Sequence, residues 1–185
     1  MKKIFMMAVM AVAALTANAQ QEAGTFSLQP KVGLNVSKIT GDGTKAKAGF
    51  AAGVEGMYQA ADKFGVSLGL MYSLQGTKYE GEDKAYNMHY LNIPILANYY
   101  VVKGLAVKAG IQPGFLVGAK HDGQSFSDDC KKFDFAIPVG LSYEISNIVF
   151  DARYNIGLTK TAKGDNVKKT KNSVFQFTVG YKFAL

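Results

Sequence analysis

The sequence predicts an all-β protein, an eight-stranded antiparallel up-and-down transmembrane β-barrel, and three observations carry that prediction. Apolar and polar residues alternate through eight stretches, so each stretch is a strand with one apolar and one polar face. The gaps between stretches are alternately short and long, as in a meander whose two ends face different compartments. The apolar faces are aromatic and free of charge, whereas the opposite faces hold glycine, small polar residues and charges. A water-soluble barrel has the reverse polarity, with apolar side chains inside. The apolar face is therefore read as meeting lipid, where a sheet must close on itself because unpaired edges cannot be hydrated.

The chain opens with Met1, Lys2 and Lys3, continues through an apolar run from Ile4 to Leu15, and reaches Ala17-Asn18-Ala19. A basic start, a short apolar core and small residues two apart define a secretory signal peptide over residues 1–19, leaving 20–185 as the outer-membrane β-barrel domain. The run is shorter than the ~20 residues that a spanning helix needs. No cysteine follows the cleavage point, which argues against a lipoprotein anchor. The net charge of +7 falls by two when Lys2 and Lys3 leave, and an exported chain is not expected to bind nucleic acid. Cys130 is the one cysteine, so disulfides do not hold this fold, and neither a metal nor a cofactor is expected.

The strands follow in order. Phe26–Val36 sets Phe26, Leu28, Pro30, Val32, Leu34 and Val36 against Gln29, Lys31, Gly33 and Asn35. Ala48–Gln59 sets Phe50, Ala52, Val54 and Tyr58 against Gly49, Ala51, Gly53 and Glu55. In Phe64–Gln75 the apolar set is Phe64, Val66, Leu68, Leu70, Tyr72 and Leu74. Met88–Val101 carries Leu91, Ile93, Ile95, Ala97, Tyr99 and Val101 outward. Leu105–Val117 turns Lys108, Gly110, Gln112 and Gly114 inward, and the sixth stretch, ending at Ile145, does the same with Asp134, Ala136, Gly140 and Glu144. Ile148–Thr159 places Asp151, Arg153 and Asn155 inside. The last stretch, Val174–Leu185, has Phe175, Phe177, Val179, Tyr181, Phe183 and Leu185 on the lipid face and Lys182 within, and it should pair with the first. Each stretch fits the ~9–11 residues of a membrane-crossing strand.

The short connections are Ala60–Lys63, Val102–Gly104 and Ser146–Asn147; the long ones run over Thr40–Lys47, Gly76–Asn87, Ala119–Lys132 and Lys160–Asn172. Aromatic residues on the apolar face sort to the strand ends. Phe26, Tyr58, Phe64, Tyr99, Tyr143, Phe150, Tyr181 and Phe183 lie toward the short turns, and Phe50, Tyr72, Phe115, Phe135 and Phe175 toward the long loops. Two girdles are expected where lipid meets water. Pro30, Pro94, Pro113 and Pro138 all fall inside strands, where each removes a ladder hydrogen bond, so bulges or bends are expected there.

Short motifs along the chain, Tyr90–Leu96 (YLNIPIL), Gly110–Gly114 (GIQPG), Phe133–Phe135 (FDF), Asp151–Tyr154 (DARY) with Gly157 and Leu158, and Gly180–Phe183 (GYKF), resemble the PorT-type outer-membrane β-barrel family of Bacteroidetes. The resemblance spans nearly all of residues 20–185 and implies an eight-stranded barrel with both termini in the periplasm. For some relatives it implies a part in protein export. It also implies that Tyr181, Phe183 and Leu185 form the signal read by the barrel-insertion machinery, although here Ala184 and Leu185 follow the closing aromatic.

Three groups of residues could carry function. Lys31, Glu55, Lys108, Asp134, Glu144, Asp151, Arg153 and Lys182 face inward, four acids and four bases, and are read as a mutually paired plug or as a path for ions or small solutes. Lys160, Lys163, Lys168, Lys169 and Lys171 make the last long loop basic: a solvated loop, or one that meets the phosphates of lipopolysaccharide. His89 and His121 lie on the long-loop side, and Ser125, Ser127, Asp128, Asp129 and Cys130 follow His121. A solvated loop accounts for them better than a catalytic triad or a metal site. The expected protein is a monomeric, non-enzymatic outer-membrane barrel that acts through its loops, with lipid and the insertion machinery as partners.

Overall fold

The computed structural model describes residues 22–39, 43–79, 85–122, 124, 125, 127, 130–160 and 171–185. The leader assigned to residues 1–19 and the loop lysines Lys163, Lys168 and Lys169 lie outside them. Eight long strands form the wall: β1 (Phe26–Ile39), β2 (Lys47–Ala61), β3 (Phe64–Tyr79), β4 (Tyr86–Asn92, resumed as Ile95–Val102), β5 (Leu105–His121), β6 (Phe133–Ile145), β7 (Ile148–Lys160) and β8 (Lys171–Tyr181, resumed as Phe183–Ala184). Each pairs antiparallel with its chain neighbours, and β1 closes the ring on β8, with Lys31 opposite Gly180 and Ile39 opposite Asn172. All eight predicted strands and the closure are present.

The short turns are tight, and their backbone explains their residues. Gly104 sits at φ 80° between β4 and β5, in the left-handed region that glycine enters without steric cost, and Ser146 takes φ 53° between β6 and β7. At the other end the strands run further than expected: β3 to Tyr79 and β5 to His121, with the short pieces Thr44–Lys45 and Gln124–Ser125 pairing onto these extensions.

The prolines interrupt the ladder without shifting it. Asn92 faces Met71 and Ile95 faces Leu68, the same register on both sides of Pro94, whose carbonyl accepts from Gly69 N at 2.8 Å. The register shifts fall elsewhere, between Gln59 and Ala61, His89 and Tyr90, Tyr100 and Val102, and Ile156 and Lys160. The second of these opposes the Leu116–Gly118 stretch of β5 and reverses the facing beyond it, so that Ala119 is buried and Lys120 exposed. A slip of one residue moves every later side chain to the other face.

The barrel is inside-out relative to a soluble protein. Exposed apolar residues cover the wall, among them Leu34, Leu68, Val107, Leu141 and Phe177, while the buried set is dominated by Gln29, Asn35, Ser73, Asn98 and the charged residues. Ring pairs mark the two margins of this belt: Phe26 with Tyr58 and Tyr181 with Phe183 at the turn end, Phe50 with Tyr72 and Phe115 with Phe133 at the loop end. Leu68 lies midway along β3 between Phe64 and Tyr72 and is 57% exposed. Leu68→Arg should therefore cost about 2–4 kcal/mol of folding free energy in bilayers. Urea titration of the variant in lipid vesicles measures it; an unchanged midpoint would remove Leu68 from the lipid belt.

Candidate functional site

The eight inward charges singled out in the sequence sort into three groups. Glu55 on β2 sits 3.1 Å from Lys31 Nζ, 2.8 Å from Lys108 Nζ and 2.9 Å from Arg153 Nη2. Asp151 on β7 accepts from Arg153 Nε at 2.6 Å and from Lys108 Nζ at 2.7 Å, with Lys31 Nζ at 3.5 Å. These five residues, drawn from β1, β2, β5 and β7, meet across the lumen. Glu144 forms a second group with Lys182 Nζ and with Tyr100, whose hydroxyl donates to it at 2.7 Å. Asp134 stands apart and accepts from the Thr159 hydroxyl.

Glycines make room for the long side chains. Lys31 faces Gly180 on one side and Gly53 on the other, Glu55 faces Gly69, and Gly140 lies between Lys108 and Arg153. A Cβ at Gly180 would collide with Lys31 Cγ and the Pro30 carbonyl oxygen. At Gly180 the absent Cβ is what lets Lys31 cross the lumen, whereas at Gly140 and Gly53 a Cβ would meet the backbone of the neighbouring strand.

Apolar layers close the lumen on either side of the ions. Ile39, Met88, Tyr90, Leu116, Ala119 and Cys130 pack together toward the loop end, and Met57, Tyr100 and Ala106 toward the turn end. The side chains of Lys31 and Glu55 are 0% accessible, so no passage as wide as a water molecule reaches them. An eight-stranded barrel encloses about as much space as its side chains fill.

Beyond the loop-end girdle the outward face turns basic. Lys38, Lys78, Lys120 and Lys171 are exposed on the outer side of β1, β3, β5 and β8. Only Lys171 belongs to the loop singled out in the sequence; the others lie on strand extensions, and the parity of β1 and β3 carried two or three residues further would have found Lys38 and Lys78. Lys47, on the inward parity of β2, is likewise buried. His89 pairs with the Tyr72 hydroxyl, and His121 stacks on Tyr86 with ring centroids 3.8 Å apart. Ser127 Oγ accepts from Ala119 N at 2.8 Å, and Asp128 and Asp129 lie outside the described residues. Among the described residues no group of three or more His, Cys, Asp or Glu is arranged to hold a metal.

A closed sheet with a lipid-facing apolar belt, two aromatic margins and a polar, filled interior defines an integral outer-membrane β-barrel. Residues 18–163 match the outer membrane protein beta-barrel domain family, and the chain belongs to it. Solved structures share the fold at low identity. Neisserial surface protein A is 15% identical with a TM-score of 0.61, over 85% of this chain and 97% of that one. Ail, the attachment invasion locus protein of Yersinia pestis, is 22% identical with a TM-score of 0.54, over 87% and 99%. The outer membrane protein OprG of Pseudomonas aeruginosa is 19% identical with a TM-score of 0.50, over 89% and 98%. No curated protein matches the sequence significantly.

Proposed function

We propose that this barrel is a non-catalytic surface-interaction protein, a filled scaffold that holds its loops and a basic belt at the outer face of the membrane. The termini and short turns lie in the periplasm, and the long loops outside. The observation that carries the reading is the outward set Lys38, Lys78, Lys120 and Lys171, four to six residues past the loop-end aromatic margin, on the side where lipid headgroups and their phosphates lie. The acids of the long connections, Asp42, Glu80, Glu82, Asp83, Asp122, Asp128, Asp129 and Asp165, fall beyond the belt in sequence, Asp122 only two residues past Lys120. The belt therefore suits the phosphates of lipopolysaccharide, and the loops are left for a second partner. The similar Ail is by name an attachment and invasion protein, which supports a surface role.

The test replaces Lys38, Lys78, Lys120 and Lys171 together by glutamine. Lipopolysaccharide binding should fall at low salt and lose most of its salt dependence, because exposed charges are screened over about 10 Å at 0.1 M. Binding equal to that of the parent at every salt concentration would sink the idea. A place in a protein-export or envelope-assembly machine, the alternative implied by the PorT resemblance, would instead show as co-purifying periplasmic or inner-membrane proteins.

A further inference from the structure

The five-ion cluster does not balance: Lys31, Lys108 and Arg153 face only Glu55 and Asp151. Among the described residues the other interior acids cannot supply the missing charge. Glu144 is taken by Lys182, and Asp134 is bonded to Thr159, six residues along β7 from Arg153 and so about 20 Å away at ~3.3 Å per residue. All four carboxylate oxygens of the cluster already accept from a cation, yet Arg153 Nη1, although buried, has no partner.

The unpartnered groups next to it point to what belongs there. Gln176 faces Arg153 across the β7–β8 ladder and leaves Nε2 without a partner; Asn155, two residues beyond Arg153, leaves both ends of its amide so. All three residues are at least 97% buried. A guanidinium nitrogen and two amides that can turn their NH₂ groups inward form a donor set, and it lies beside an uncompensated positive charge. In a low-dielectric interior such an excess is costly unless a counter-charge accompanies it. We infer that the lumen holds a small monovalent anion of the halide class, bound by Arg153 Nη1, Gln176 Nε2 and Asn155 Nδ2 and enclosed as the barrel folds. The anion is a structural counter-ion of the plug, with no part in a transport path. A neutral Lys31 amine would relieve the same excess without an anion, and the two accounts make opposite predictions.

The experiment refolds the purified protein from urea into detergent micelles in sodium chloride, bromide or gluconate at equal ionic strength, with the folded fraction read from the gel shift between unheated and heated samples. With halide at roughly ten times its dissociation constant, the folding equilibrium should favour the barrel about tenfold more than in gluconate. Gln176→Glu places a fixed carboxylate at the site, and this variant should fold equally well in all three salts. Equal stability of the parent in the three salts, or a halide response that survives Gln176→Glu, would overturn the assignment. Should the variant fail to fold, crystals of parent protein refolded in bromide decide: an anomalous peak beside Arg153 Nη1 supports the site, and its absence there refutes it.

Discussion

Glu55→Ala is expected to destabilise the barrel by about 3–5 kcal/mol, the usual cost of removing one partner from a buried ionic network. The residue is fully buried and is the nearest acid to both Lys31 and Arg153 Nη2. Without it Asp151 alone faces three cations in a space that water does not reach. The mirror substitution, Lys31→Met, leaves two cations against two acids and keeps an unbranched chain against Gly180 and Gly53, so it should cost far less. Urea midpoints of the two variants, measured side by side in the same detergent, test the ordering. A Lys31→Met variant as unstable as Glu55→Ala would show that the cluster depends on the number of its contacts and not on its charge.

The second large effect is expected at the C-terminus. Deleting Tyr181–Leu185 removes the pairing of Phe183 and Ala184 with Leu28 and Ser27, the bond from Leu185 N to the Phe26 carbonyl at 2.9 Å, and Lys182, the cation that neutralises Glu144. The turn end of β1 would then present an open edge to lipid, where its backbone groups have no water to bond. Folded, heat-modifiable protein should be absent both in cells and after refolding in detergent. Tyr181→Ala, Phe183→Ala and Leu185→Ala combined separates the two roles of this segment, because it keeps the backbone ladder and strips the side chains. If the insertion machinery reads those side chains, the triple variant should refold in detergent yet fail to assemble in cells; equal success in both settings would dismiss the insertion signal.

The strand pattern was legible because a wall one residue thick, with lipid on one side and a packed lumen on the other, imposes strict period-2 alternation. Phe175 to Phe183 shows it without interruption, and Phe64 to Leu74 departs from it only at Met71. The facing of Lys31, Glu55, Lys108, Asp151, Arg153 and Lys182 followed from the same parity, and all six are buried. Which of them meet did not follow. Contacts across a barrel depend on the stagger accumulated over every intervening strand pair, and one shift near His89 changes it. The strand extensions were hidden for a different reason. Past the girdle the outward face turns polar, so Lys38 fell outside the first strand and Lys78 read as loop, although their backbones are still paired. Of the bulges or bends expected at the prolines, no register-shifting bulge falls at Pro94: the missing N–H interrupts the strand between Asn92 and Ile95, but the wall there keeps the register set on both sides.

The glycines that flank the lumen charges constrain how such a sequence can drift. A Cβ at Gly140 would meet the Ala152 carbonyl oxygen, and one at Gly180 would meet the Pro30 carbonyl oxygen as well as Lys31 Cγ, so shortening Arg153 or Lys31 does not by itself make room and both glycines should stay fixed. The same tight fit has a cellular consequence. If the filled lumen does not conduct, each copy adds surface to the envelope without adding a hole, and a bacterium could crowd its outer membrane with this protein and still exclude detergents and toxic solutes.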